Sequence, residues 1–225
     1  MPHVASQLQQ ALDDAVLLER VYLYRLFQSV FGAEPNRAQL EVVFSDLTAA
    51  SLEPFADEAD MALLAQMGER FAEDPARFED ALCAEYTRAF VGPAELPAPP
   101  WESVYASKDR LLFQETTLAV RRCYVEYDCI PAGYPHVADD HISLELDFLA
   151  KLAERMMEAA EAQDGARAER LAQAQGRFLA NHLLAWVGDF AGQVDAGRAP
   201  YYACLARLTV RFAEHDGAWL AAVGA

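Results

Sequence analysis

No uncharged stretch of this chain approaches the twenty or so apolar residues that a membrane-spanning helix needs; one of the longest, Phe178 to Gly188, has eleven. Positive charge is scarce as well, with 18 Lys and Arg against 35 Asp and Glu and a formal net charge of −17. Such a surface repels phosphate backbones and anionic headgroups. It argues against nucleic acid as a partner and against stable membrane insertion, and it suits a basic peptide better. Cys83, Cys123, Cys129 and Cys204 form no CxxC pair, so neither a zinc knuckle nor a redox dithiol is signalled, and buried free thiols in a reducing compartment are expected. The first residues hold no basic cluster followed by a sustained apolar core, so no secretory signal is read there and a soluble, cytoplasmic protein is expected. HExxH, GxGxxG, GxxxxGK[ST] and GxSxG are all missing, which removes the common phosphate and nucleophile devices. No window alternates with period two between hairpin turns, and no internal repeat is found.

What the chain does have is helical periodicity punctuated by Gly, Pro and capping residues. Ser6 and Gln9 read as a capping box opening a helix through Leu12, Leu18, Tyr22, Leu26 and Val30 to Gly32. Further helices fit 37–47 and 57–71, and Asp74-Pro75 reads as a cap with proline at the first position of a helix running to Phe90. Gly92-Pro93 ends that helix, and the prolines up to Pro100 impose an extended connection. Helical pattern resumes near Leu111 to Tyr127, again from Ile142, then from Ala166 to about Val194, and from Tyr201 to Glu214 with a short tail at Trp219 and Leu220. The spacing predicts an all-α protein of about eight or nine helices in a single globular domain. Within it, two lobes at about 1–128 and 139–225 are an expected subdivision, joined by a hinge loop near 129–139.

The 53% of hydrophobic residues suffice for a core in a chain of 225 residues. The acidity is uneven: residues 41–102 carry 14 Asp and Glu against 3 Arg, a local charge of −11. That run serves either as solvated helix faces or as a field for a cationic ligand. Asp139-Asp140-His141 follows Pro131, Gly133 and Pro135, so Asp139 or Asp140 is expected to N-cap the helix that carries Ile142, Leu149, Leu152 and Met156. His141 and Glu145 lie one turn apart, a spacing that can hold a metal but supplies too few ligands alone. His182 and Trp186 are expected to be a satisfied polar group and core packing in their helix. Pro99-Pro100-Trp101-Glu102-Ser103-Val104-Tyr105 reads equally as a rigid strap plugging the core or as the wall of a peptide groove.

Three blocks then carry a resemblance. Glu85-Tyr86-Thr87-Arg88-Ala89-Phe90 with Gly92-Pro93 and the Pro99 to Tyr105 run, Asp140-His141 with Glu145-Leu146-Asp147-Phe148, and Phe178 to Trp186 with Pro200-Tyr201-Tyr202 together resemble the TorD/DmsD family of redox-enzyme maturation chaperones. The order and separations fit over most of residues 10–220. Val137 and Ala138 stand where that family usually has Glu and Pro, and neighbouring Asp139 is a candidate to supply the charge.

The resemblance implies an all-helical, non-catalytic cytoplasmic chaperone with no cofactor of its own. It would bind the twin-arginine signal peptide or the apo catalytic subunit precursor of an exported molybdoenzyme until the client's cofactor is inserted, as a monomer or a domain-swapped dimer. Trp101, Glu102, Tyr105, Asp140 and His141 are expected to border one cleft, with Pro100, Ser103 and Tyr86 in the same peptide-binding set. Asp140 and Glu102 would accept from arginine, Trp101 and Tyr105 would stack, and His141 would orient the loop. The rival from another class is a metal-dependent helical enzyme using Asp140, His141 and Glu145. Weaker rivals are a nucleotide site, for which no phosphate loop is present, and a structural adaptor.

Overall fold

The protein is represented by a computed structural model that describes residues 13–93, 95–107, 111–131 and 138–224. Eleven α-helices lie among them: α1 (Asp14–Gly32), α2 (Arg37–Val43), α3 (Asp46–Leu52), α4 (Glu58–Glu73), α5 (Pro75–Tyr86), α6 (Glu102–Ala106), α7 (Glu115–Glu126), α8 (Ile142–Glu161), α9 (Gly165–Asn181), α10 (Leu183–Ala196) and α11 (Pro200–Val223). A 3-10 turn follows α3 at Glu53–Phe55, and a π-helical turn extends α5 over Thr87–Val91. No strand occurs among the described residues, only a single antiparallel bridge between Trp101 and His141.

The class is as the sequence predicts, but the count exceeds eight or nine for identifiable reasons. The segment expected as one helix over 37–47 breaks at Phe44-Ser45, where the Ser45 hydroxyl accepts from Thr48 N at 3.2 Å and starts α3. Short side-chain oxygens compete with the helix in this way. The long segment expected from Ala166 to Val194 breaks at His182, whose backbone sits at φ −122° and ψ −88°. The short α6 follows the proline strap unannounced by any periodicity. Conversely, the last helix and its expected tail are one 24-residue helix. Asp74 caps α5 with Pro75 at its first position, and Asp57 caps α4. Gly92 stops the π-turn at φ 94°, where a side chain would be strained. The Ser6–Gln9 capping box lies outside the described residues, as do 132–137 of the expected loop.

α1 packs along α8, α8 along α9, and α9 and α10 against α11, which also meets α1 and α4. Ile142, Leu146, Leu149, Leu152 and Met156 of α8 are all fully buried, so this helix runs through the core rather than over it. Aromatic edges lock the layers: Tyr24 meets Phe212 at 4.9 Å, and Phe31 meets Phe190 at 5.6 Å and Phe90 at 6.2 Å. Among the described residues no helix is long and apolar enough to cross a membrane. Cys129 and Cys204 are buried as expected, but Cys83 and Cys123 are only partly so, and all four thiols are free.

Six carboxylates are buried: Asp60, Glu102, Asp139, Asp140, Glu145 and Asp216. Three of them are paired with arginine. Asp216 takes the Arg20 guanidinium and the Tyr24 hydroxyl, Asp60 takes Arg207 and Arg211, and Asp139 takes Arg121 at 2.6 Å. The other three have no arginine or lysine partner among the described residues, and all three lie in the region of the strap. The Asp216 pair joins α1 to α11 deep in the core, so Asp216→Ala, which leaves Arg20 buried and uncompensated, is expected to cost about 3–5 kcal/mol in urea unfolding. Leu18→Ala, at an exposed position, is expected to stay within about 0.5 kcal/mol of the parent.

Candidate functional site

Pro99 and Pro100 keep the chain extended, so the backbone groups around Trp101 need partners outside any helix, and they find them in the turn before α8. Glu102 N donates to Asp140 O at 3.0 Å and Ile142 N donates to Pro100 O at 2.9 Å. This pairing sets the Trp101 ring edge-on against His141, with centroids 5.3 Å apart and planes at 77°. Both rings remain half-buried, at the surface of the corner.

Beneath them the side chains hold the turn. Asp140, fully buried, accepts from Ser103 N at 2.8 Å and so ties down the first turn of α6, while its Oδ1 has no partner. Asp139 accepts from Arg121, and its carbonyl accepts from the Tyr124 hydroxyl at 3.0 Å, fixing the turn to α7. With both aspartates engaged elsewhere, His141 is the N-cap of α8, a correction to the expected Asp139 or Asp140. Its Nδ1 accepts from Ser143 N at 3.2 Å and from the Ser143 hydroxyl at 2.8 Å. Burial pushes the His141 pKa down to about 4 against the opposing pull of Asp140, so the ring is neutral at pH 7.

Glu102 points inward to His182, whose Nδ1 lies 3.1 Å from Oε2. Burial alone would lower the His182 pKa, but contacts with Cys123 and Glu102 outweigh it and hold the ring up at about 9, as an imidazolium. Glu145 accepts from Trp186 Nε1 at 3.2 Å. Burial, and then the charge of Glu102 beside it, raise the Glu145 pKa well above the carboxylate range, with the Trp186 bond pulling the other way. Its Oε1 is buried without a hydrogen-bond partner.

Pro100, Trp101, Glu102, Ser103, Asp140 and His141 thus meet at one corner. Tyr105 lies farther along α6, its ring 5.2 Å from Trp186 and 6.5 Å from Phe190. Tyr86 packs elsewhere, against Phe90 and Tyr202, and donates to Phe31 O at 3.3 Å. His182 and Trp186 are, as read from sequence, a satisfied buried polar group and core packing, and through Glu102 and Glu145 they also close the corner. Asp140 and Glu102 do not present open carboxylates: each is buried and already engaged. Asp139, the candidate for the missing family glutamate, is committed to Arg121. No three His, Cys, Asp or Glu among the described residues are placed to hold a metal ion.

A carboxyl that binds its proton more tightly folded than unfolded makes stability fall as pH rises above the unfolded value. Glu145 is such a group, with an ordinary value of 4.5. Glu145→Gln, which keeps shape and acceptance from Trp186 without a titrating proton, is expected to flatten the decline of unfolding free energy from pH 5 upward in urea titrations. His141 acts in the opposite sense: neutral when folded, it withdraws stability as pH falls below 6.5 toward about 4. His141→Asn, another good N-cap, is expected to remove that acid-side loss.

Residues 53–192 match the family described as Nitrate reductase delta subunit. The "Probable Tat proofreading chaperone DmsD" of Haemophilus influenzae is 28% identical over 198 residues, 86% of this chain and 88% of that protein. The "Chaperone protein TorD" of Aliivibrio salmonicida is 27% identical over 210 residues, 90% of this chain and 95% of that one. The "Tat proofreading chaperone DmsD" of Salmonella typhimurium is 30% identical over 131 residues, 58% and 57% of the two chains. The matched span contains the strap, the Asp140–His141 turn, and the His182 and Trp186 that close the corner, and on that footing the chain belongs to the nitrate reductase delta subunit family, as a chaperone of the TorD/DmsD type and not a catalyst.

Proposed function

We propose that this protein is a cytoplasmic chaperone that binds the twin-arginine signal peptide, and through it the apo catalytic subunit, of an exported molybdoenzyme, holding the client until its cofactor is inserted. The observation that carries this reading is the set of buried carboxylates without arginine. Every other buried acid among the described residues has one. At the corner, His182 supplies one positive charge and burial holds Glu145 toward its neutral form, while Asp140 and Glu102 lie under two half-buried rings with no arginine or lysine partner among the described residues. A client guanidinium entering beside Trp101 and His141 would supply the missing cation and stack on the indole, above the buried and unpartnered Asp140 Oδ1.

The neighbouring surface suits the apolar stretch that follows the arginines in such peptides. Leu111, Leu112, Phe113, Leu118, Val125 and Ile130 are all exposed. They lie on α7 and its flanks, and α7 is tied to the corner through Arg121 and Tyr124. Exposed Glu115, Glu126 and Asp128 lie at its ends. A cationic segment followed by an apolar one has matching surfaces in the same order.

Titration calorimetry with a synthetic twin-arginine peptide tests the reading. Asp140→Asn keeps an acceptor for Ser103 N and removes the charge; it is expected to weaken binding about tenfold or more, with the urea midpoint checked for folding. A twin-lysine peptide, which lacks the planar fork, is expected to bind more weakly, and added salt should weaken the parent complex. Equal affinity of Asp140→Asn for the two peptides, at the parent's level, would remove the corner from the binding site.

A further inference from the structure

The first turn of α8 carries an acid that the fold encloses without pairing it to a cation. Glu145 is fully buried, its Oε2 accepts from the neutral Trp186 indole at 3.2 Å, and its Oε1 has no partner. Around it α6 presents Glu102, the turn before α8 presents Asp140 and His141, α7 presents Tyr124, and the junction of α9 and α10 presents His182 and Trp186. α9 turns the uncharged Gln175 toward α8, where its amide donates to Leu149 O at 2.8 Å. α1 packs along α8 as well, but its Arg25 is taken by Glu154 at 2.7 Å and by Asp147. Among the groups facing Glu145 only His182 is cationic, and Glu102 already holds it at 3.1 Å.

Two further oxygens of the same corner are orphaned. Asp140 Oδ1 and Ser103 Oγ are buried without partners, and the two residues are joined by the 2.8 Å bond from Ser103 N to the other Asp140 oxygen. Buried acceptors that find no donor mark a place where positive charge is wanting. Opposite influences act on Glu145 itself. Enclosure disfavours its charged form and Glu102 beside it does so again, whereas its position in the first turn of α8 favours an anion. The carboxyl keeps its proton while no further cation is near. A cation brought close, across an interior that screens charge poorly, favours the ionised form.

We propose that client binding at the corner is coupled to loss of the proton on Glu145: a guanidinium seated on Trp101 supplies the positive charge against which the carboxyl ionises, and the proton leaves to solvent. Resting on the peptide reading above, this coupling makes pH a control of client affinity. The free protein holds a proton that the complex lacks, so raising the pH favours the complex and lowering it favours release of the client. The dependence ends above the pH at which the free protein itself loses that proton. His141 is already neutral at pH 7 and has no proton to give. His182 does carry one, so substitution must tell the two sources apart.

Calorimetric titration of the full-length protein with a twin-arginine peptide, blocked at both ends and free of other titrating side chains, tests this at pH 7 in phosphate and in Tris. These buffers take up a proton with very different heats, so the difference in binding enthalpy counts the protons released. The parent is expected to release about one proton, and to bind about threefold or more tightly at pH 8 than at pH 6. Glu145→Gln keeps an acceptor for Trp186 Nε1 but has no proton to lose. It is expected to release none and to hold one affinity across that range, with its urea midpoint checked for folding; the parent's proton count tests the coupling even where the variant unfolds. Equal enthalpies in the two buffers, with the parent binding, would overturn the coupling and leave the peptide reading standing. Undiminished release in Glu145→Gln would overturn it too, by assigning the proton to His182. A parent that does not bind the peptide removes both.

Discussion

Two backbone hydrogen bonds, Glu102 N to Asp140 O and Ile142 N to Pro100 O, hold the proline strap to the start of α8, and the candidate site depends on that pairing. Proline has no N–H, so the residues before Trp101 cannot fold onto themselves and must pair outward. Once they pair with the Asp140–Ile142 turn, the rest follows by short steps. The Asp140 carboxylate reaches Ser103 N and starts α6. α6 aims Glu102 inward to His182 and carries Tyr105 to Trp186. His141 is left to cap α8, a role that turns its Nδ1 into the helix and its ring edge toward Trp101. Segments separated by tens of residues become one rigid corner with few hydrogen bonds.

Burying carboxylates without arginine is costly, and the corner tolerates it by three different devices. Glu145 is protonated, which removes its charge. Glu102 faces His182, which stays cationic next to it. Asp140 accepts from a backbone N–H at 2.8 Å, with one oxygen unsatisfied. Elsewhere the same protein uses the ordinary solution, an arginine fork, for Asp60 and Asp216. The contrast lies within one core and one chain, so it reflects placement rather than a shortage of arginine overall.

The sequence made the helical class, the cap at Asp74 and the proline strap legible because each rests on neighbours within one turn. The breaks at Ser45 and His182 were not legible, for different reasons. Ser45 competes locally with the helix, and serine does so only at some positions. His182 leaves the helical path while its ring is held by Glu102, 80 residues earlier, and no periodicity records a partner at that distance. The same limit applied to the site. Trp101, Glu102, Asp140 and His141 could be named from motif and chemistry, yet their roles came out rearranged: the expected capping acids serve the strap and α7, and the expected loop-orienting histidine is the cap. Which of three adjacent polar residues caps a helix depends on what else reaches for the other two.

Chemistry at the corner is suited to recognition rather than reaction. A general base must hold an accessible lone pair near neutral pH, and His141, the one titratable side chain at its surface, has Nδ1 committed to Ser143 N. Glu145 is protonated but enclosed behind Trp186 and Glu102, and Glu102 is balanced by an imidazolium. What remains accessible is a flat indole and a neutral imidazole, with the buried, unpartnered Oδ1 of Asp140 behind them. Such groups would discriminate a ligand by shape and charge and leave its bonds intact, which is what the proposed retention of an unfinished client requires.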